Sequence, residues 1–144
     1  MSSFEACRPK FGFVLNDELT FLVIGGDPVM RELARVHLST PTVGIVTADS
    51  AEEALDGLAC EPFDAVMIDL DLPGKSGLQL IREIRTNPCL RHLPIIAVTS
   101  QDDVVSVDGA YNAGATSFAT KPVNWPMLSC QLRYVLRAQG LIAA

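Results

Sequence analysis

The four cysteines of this chain never fall at metal-binding spacing. Cys7, Cys60, Cys89 and Cys130 are scattered, with no CxxC pair and no Cys/His cluster, which excludes the zinc modules built on such spacing. Free thiols in a reducing cytosol are the simplest account of them. Positive charge is short too. A net charge of −6 argues against the basic footprint with which proteins hold nucleic acid. No apolar run approaches the roughly 20 residues of a membrane-spanning helix, and Glu5, Arg8 and Lys10 interrupt the N-terminus before a secretory apolar core could form. There is no internal repeat. Neither GxGxxG nor GxxxxGKS/T occurs, so Gly25-Gly26 does not open a nucleotide-phosphate loop. The two histidines, His37 and His92, stand apart without ligand partners, which makes them surface or helix-face residues. These absences leave a cytoplasmic protein expected to touch neither nucleic acid nor membrane.

What is present is apolar residue in short, regular blocks. An apolar share of 49% over 144 residues suffices for one domain with a real core. Residues 19–24, 43–47, 65–69, 93–98 and 116–120 form short runs closed by Gly, Pro, Asp or Ser, as strands buried on both faces do. Between them lie segments of helical spacing, at about 28–38, 51–59, 76–85, 102–113 and 124–139. Asp27 before Pro28 reads as an N-cap followed by proline at the first helical position. Ser50 with Glu53 reads as a capping box. Arg82 and Arg85 are expected on a solvated helix face, and Trp125 packs locally or serves as a contact residue. Residues 1–18 form an N-terminal extension without assigned chemistry, in which residues 11–15 (Phe-Gly-Phe-Val-Leu) could be an added edge strand or a docked arm. Residues 19–139 form the domain, and 140–144 a short tail.

Alternation of five strands with five helices predicts an α/β fold: a doubly wound parallel sheet of the flavodoxin-like (βα)5 kind, strand order 2-1-3-4-5, with right-handed crossovers. In such sheets, sites lie outside the C-terminal ends of the strands. Those ends carry Gly25-Gly26-Asp27, then Asp69 with Asp71, then Thr99-Ser100, then Lys121. A carboxylate, a hydroxyl and an ammonium around one point suit phosphoryl chemistry: the carboxylate as nucleophile, the others as ligands of phosphoryl oxygens.

Three motifs at the ends of strands 3, 4 and 5 make the likeness specific: Met67-Ile68-Asp69-Leu70-Asp71-Leu72-Pro73 with Gly77; Ala97-Val98-Thr99-Ser100; and the stretch from Gly114 through Phe118 to Lys121-Pro122. From about residue 20 to 135 the chain resembles the receiver domain of two-component response regulators. The resemblance implies that Asp69 is the phospho-acceptor, taking phosphate from a histidine kinase or phosphotransfer protein. It implies that Thr99 and Lys121 bind the phosphoryl group, that Phe118 is the switch aromatic, and that Mg²⁺ is held by Asp69 and the backbone carbonyl of Asp71. It also implies a cis bond at Lys121-Pro122. Output would pass through protein contacts on the face of helix 4, strand 5 and helix 5, with a downstream protein or a second copy of the chain, since no output segment follows helix 5. This chain would then be a signalling module and not an enzyme, beyond Mg²⁺-dependent self-phosphorylation from a phospho-donor and its reversal.

One departure from the family pattern bears on all of this. Receivers carry two adjacent acids after strand 1 that organise the Mg²⁺. Gly25 and Gly26 occupy those positions here. Magnesium requires hard oxygen ligands, usually with one or two carboxylates, so weak or absent binding is expected. Asp27, freed by a flexible Gly-Gly turn, is the candidate replacement, although its role as helix cap already accounts for it. The departure opens an alternative function, a degenerate receiver that keeps the fold as a phosphorylation-independent interaction module. A remoter alternative is a phosphatase of the haloacid-dehalogenase type, since Asp69-Leu70-Asp71 looks like its DxD pair. That chemistry needs further acids after the lysine, and residues 122–144 contain none.

Overall fold

The computed structural model describes residues 18–140 and 142; the segment 11–15 considered above as a strand or arm lies outside the described residues. Five strands, β1 (Leu19–Ile24), β2 (Val43–Ala48), β3 (Ala65–Asp69), β4 (Ile95–Thr99) and β5 (Ser117–Thr120), alternate with five helices, α1 (Pro28–Leu38), α2 (Ala51–Cys60), α3 (Gly77–Thr86), α4 (Val104–Ala113) and α5 (Trp125–Ala138). All pairings are parallel and the order is β2-β1-β3-β4-β5. This is the flavodoxin-like arrangement expected from the alternation of elements.

The sheet is greasy on both sides because it is covered on both sides. Leu22, Ile24, Val66 and Ile68 pack into one buried cluster with residues of α2, α3 and α4. Their strand neighbours Phe21, Val23, Ala65 and Met67 point the other way, into a second cluster with residues of α1 and α5. The period-2 alternation thus feeds two cores. It also explains why the strands read as unbroken apolar runs.

Each helix starts on a side-chain cap. Asp27 accepts from the Val29 backbone N–H at 2.9 Å, Ser50 from Glu53, Ser76 from Gln79, Asp103 from Ser106 and Asn124 from Met127. The capping box expected at Ser50 is half formed, because the Glu53 carboxylate reaches past Ser50 to the backbone of Asp49. The complete box stands at Ser76, whose partner Gln79 bonds back to the Ser76 N–H. Helix α4 starts at Val104, later than its apolar spacing suggested, because Asp103 caps it.

Two residues depart from the expectations. Arg85 is not on a solvated face. Its half-buried guanidinium donates to the carbonyls of Gly114 (2.9 Å), Leu90 (3.0 Å) and Arg91 (3.2 Å) and to Thr116 Oγ1 (3.2 Å), tying α3 to the turns flanking β4 and β5. Burial there pulls its pKa below the ordinary arginine value. Arg82 is exposed, as expected. The cysteines are not all free thiols either. Cys60 and Cys130 are free, whereas Cys89 is in a disulfide; scattered spacing in sequence carries no information on which cysteines the fold brings together.

Candidate functional site

Parallel pairing brings the ends of β3, β4 and β5 to one edge. Asp69 lies opposite Val98, and Thr99 opposite Thr120. Leu70 N–H donates to Val98 O at 2.8 Å and Lys121 N–H to Thr99 O at 2.9 Å, so the ladder holds the backbone on both sides of each functional position. The Lys121-Pro122 bond is cis.

Asp69 is 2% exposed. A carboxylate so buried requires partners, and both its oxygens have them. Oδ1 accepts the backbone N–H of Asp71 at 2.9 Å, and Oδ2 accepts from Lys121 Nζ at 2.7 Å. Lys121 Nζ also stands 3.5 Å from Asp71 Oδ2. Burial draws the Lys121 pKa down, but the bond to Asp69 and the charges of Asp69 and Asp71 outweigh it, and the net shift is upward. Thr99 is buried at 2%, its Oγ1 accepting the Gln101 N–H at 3.2 Å. Phe118 is half-buried against the cluster under α3 and α4.

The β1 side of the crevice contributes no acid. Gly25 continues the sheet, donating its N–H to Ala48 O at 3.0 Å, and its carbonyl accepts from Arg31 Nη1 at 2.6 Å. A Cβ built on Gly25 would lie 3.6 Å from Asp69 Cβ, but it would collide with the terminal methyl of Met30. A Cβ on Gly26 would stand 2.9 Å from Pro73 Cδ. The space of the two missing acids is thus occupied, from α1 by Met30 and from the loop after β3 by Pro73. Asp27 gives its carboxylate to the helix cap. Among the described residues no group of three or more His, Cys, Asp or Glu could hold a metal. The oxygen donors at this edge are the Asp69 carboxylate, already bonded at both oxygens, and the carboxylate and carbonyl of Asp71. The set lacks the two acids that the family pattern places at Gly25 and Gly26.

The geometry therefore joins Asp69, Asp71, Thr99 and Lys121 and leaves Asp27 at its cap. Met30, Arg31 and Pro73 shape the crevice without a signal in the sequence: Met30 shows there only as one apolar position of a helix, and Pro73 only as a turn former.

A model of the response regulator receiver domain matches residues 21–133. A transcriptional regulatory protein of Pseudomonas aeruginosa, AruR, is 33% identical over 121 residues, which make up 81% of this chain and 48% of that protein. A cyclic di-GMP phosphodiesterase of Thermotoga maritima is 31% identical over 83% of this chain and 31% of its own length. The chain thus spans half or less of both. Among solved structures, a response regulator of Chloroflexus aurantiacus superposes with a TM-score of 0.78 at 28% identity, covering 83% of this chain and 98% of that one. The chemotaxis protein CheY4 of Vibrio cholerae superposes with a TM-score of 0.78 at 23% identity, over 82% and 98% of the two chains, and shares the fold.

Proposed function

Because this chain belongs to the response regulator receiver domain family of two-component signalling, whose members are signalling modules that meet histidine kinases or phosphotransfer proteins and bind Mg²⁺ in an acidic pocket, we propose that it acts as a receiver-fold interaction module without a metal-dependent phosphate cycle. The observation that carries this reading is the filled volume at Gly25 and Gly26. Magnesium in that pocket would neutralise phosphoryl oxygens. Here Gly25 and Gly26 stand where the acids that hold it belong, and a Cβ on either would meet Met30 or Pro73. Asp69 and Lys121 then serve as a fixed ion pair that sets the geometry of the sheet edge. Contacts are made through the face of α4, β5 and α5, where Val104, Val105, Tyr111, Met127 and Tyr134 are exposed, with a downstream protein or a second copy as partner. The surroundings are cytoplasmic.

A second reading keeps the phosphate cycle. In it Asp69 attacks the phosphorus of a phosphohistidine donor, the P–N bond breaks and the donor's imidazole leaves, Lys121 binds a phosphoryl oxygen, Thr99 follows and Phe118 repacks. The intact 2.7 Å bond from Lys121 to Asp69 and the burial of Thr99 favour it. The phosphatase alternative draws no support from residues 122–144, which carry no Asp or Glu.

Incubation with acetyl phosphate and Mg²⁺, followed by intact-mass measurement, separates the first two. We expect no phosphorylated species at metal concentrations up to about 10 mM, well above the range of weak Mg²⁺ sites. A phospho-adduct that saturates with metal and disappears in Asp69→Asn establishes the second reading instead.

A further inference from the structure

The two edges of the sheet are protected unequally. β5 is only four residues long, and Gln131 reaches over it, its amide donating to Ser117 Oγ at 3.3 Å and to Phe118 O at 3.2 Å. A short strand and a covering side chain are common means of blunting an edge. β2 has neither. Its six residues, Val43-Gly44-Ile45-Val46-Thr47-Ala48, carry no charge and no proline. We propose that the outer edge of β2 takes up an extended peptide segment of a partner protein as an added strand, and that a lysine or arginine of that segment enters the cavity at the N-terminal end of the edge.

The ladder defines which groups are open. Leu19 N–H donates to Thr42 O at 2.9 Å and Gly25 N–H to Ala48 O at 3.0 Å, so the even-numbered residues of β2 turn their backbone toward β1. The odd-numbered residues turn theirs outward. Val43 meets Thr40 there, in bonds of 3.2 and 3.1 Å. The outward N–H and C=O of Ile45 and Thr47 have no partner among the described residues. Two donors and two acceptors in strand register are the template on which an added strand forms, with neighbouring pockets selecting its side chains.

Such a pocket adjoins the edge. A cavity of about 330 Å³ is lined by Glu18, Thr20, Thr40, Thr42 and Val43 among others. Glu18 is exposed and has no cation bonded to it among the described residues. A carboxylate with threonine hydroxyls around it suits an ammonium or guanidinium. From Ile45 back to Val43 is about 7 Å of strand, within reach of a long basic side chain on a peptide paired at Ile45. The wider surface agrees in sign. No Lys or Arg lies between Arg35 and Lys75, whereas Asp49, Glu52, Glu53, Asp56 and Glu61 are all exposed there. Arg35 stands at the far end of the edge, 3.4 Å from Thr47 Oγ1, and is paired with Glu32 at 3.5 Å. The uncompensated charge is therefore negative, which selects a basic segment. A second copy of β2 paired antiparallel would instead bring both acid-rich α2 helices to the same face, like charge toward like. β2 and β5 are opposite edges of the sheet, so such docking leaves the Asp69 site and the face of α4, β5 and α5 free.

Antiparallel pairing, the more stable kind, places the basic residue after the paired segment. The test is an amide NMR titration of the full chain with acetyl-Thr-Val-Thr-Val-Thr-Lys-Lys-amide, and with the same peptide carrying Glu in place of both Lys. We expect saturable shifts at Ile45, Thr47, Thr40 and Thr42 with a dissociation constant of about 1 mM, the scale of four exposed backbone hydrogen bonds. The acidic peptide should bind at least about fivefold more weakly, and Glu18→Lys should weaken the basic peptide by about fivefold, as loss of an exposed ion pair implies. Thr47→Pro removes one outward N–H where an edge strand tolerates proline and should abolish saturation. Glu18→Lys alters an exposed side chain and so reads the cavity even if Thr47→Pro unfolds the domain. No shift at Ile45 and Thr47 up to about 10 mM peptide, about ten times the expected constant, would overturn the proposal. So would equal affinity for the two peptides, or concentration-dependent shifts at Ile45 and Thr47 without peptide, the mark of β2 pairing with a second copy.

Discussion

Gly77→Ala is expected to destabilise the domain by about 3 kcal/mol, at the upper end of overpacking costs. Gly77 opens α3 directly beneath the segment that follows Asp69, and its N–H donates to Leu70 O at 3.3 Å. A Cβ there would stand 2.6 Å from Leu70 Cα and 2.9 Å from Asp69 O. Both are backbone atoms of a chain locked into the sheet, so neither can step aside as a side-chain end would. The strain falls on the peptide that aims Asp69, and the Lys121 bond should loosen with it. Denaturant unfolding measures the effect as a lower midpoint at unchanged slope. Gly109→Ala is the matched control. It lies inside α4 with nothing within 4 Å of an added Cβ, so it should stabilise by about 0.5–1 kcal/mol through helix propensity.

Removing the ammonium from the site has a comparable effect by a different route. In Lys121→Ala the Asp69 carboxylate, whose side chain is 3% exposed, loses the cation bonded to it. Breaking a buried pair costs about 3–5 kcal/mol; Lys121 is itself 30% exposed, so we expect about 2–3 kcal/mol after allowing for solvent screening. The cause is the stranded charge, so Asp69→Asn in the Lys121→Ala background should recover most of the loss. A double-mutant cycle reads that coupling directly, and strictly additive effects would mean that the pair contributes nothing. The pH dependence has a definite sign. The folded pKa of Lys121 lies above its ordinary value of 10.5. Its stabilising contribution is therefore complete below 10.5 and is lost as pH rises through the folded value. Stability at alkaline pH should fall more steeply in the parent protein than in Lys121→Ala/Asp69→Asn.

The sheet was legible because both of its faces are buried: five apolar runs closed by turn residues leave few other arrangements. Asp69, Thr99 and Lys121 were legible because each ends such a run, and parallel pairing must gather strand ends at one edge. Arg85 was not. Its partners are three carbonyls and a hydroxyl at residues 90, 91, 114 and 116, and a carbonyl has no signature in sequence. The box at Ser76 has a signature, a serine followed three residues later by glutamine, but the glycines and proline around it carry an equally strong turn signal. Cys89 escaped because disulfide partners are chosen by distance in space. The loss of acids at Gly25 and Gly26 was plain from the sequence. That Met30 and Pro73 occupy the vacated volume was not, because both act across the fold on glycines that offer no contact of their own.

The filled pocket also decides what restoring the acids would do. Met30 presents the flexible end of its side chain to Gly25, whereas Pro73 presents a ring to Gly26. Gly25→Asp should therefore be accommodated more readily than Gly26→Asp.

The most direct measurement is Mg²⁺ titration, with beryllofluoride present, followed by the fluorescence of Trp125, the chain's single tryptophan, and by amide NMR shifts at Asp69, Thr99 and Lys121. The account predicts no saturable change in the parent protein up to about 10 mM metal, above the range of weak, water-rich sites. A saturable response in the parent protein at about millimolar Mg²⁺, abolished by Asp69→Asn, would contradict it and return Asp69 to a working phosphate cycle.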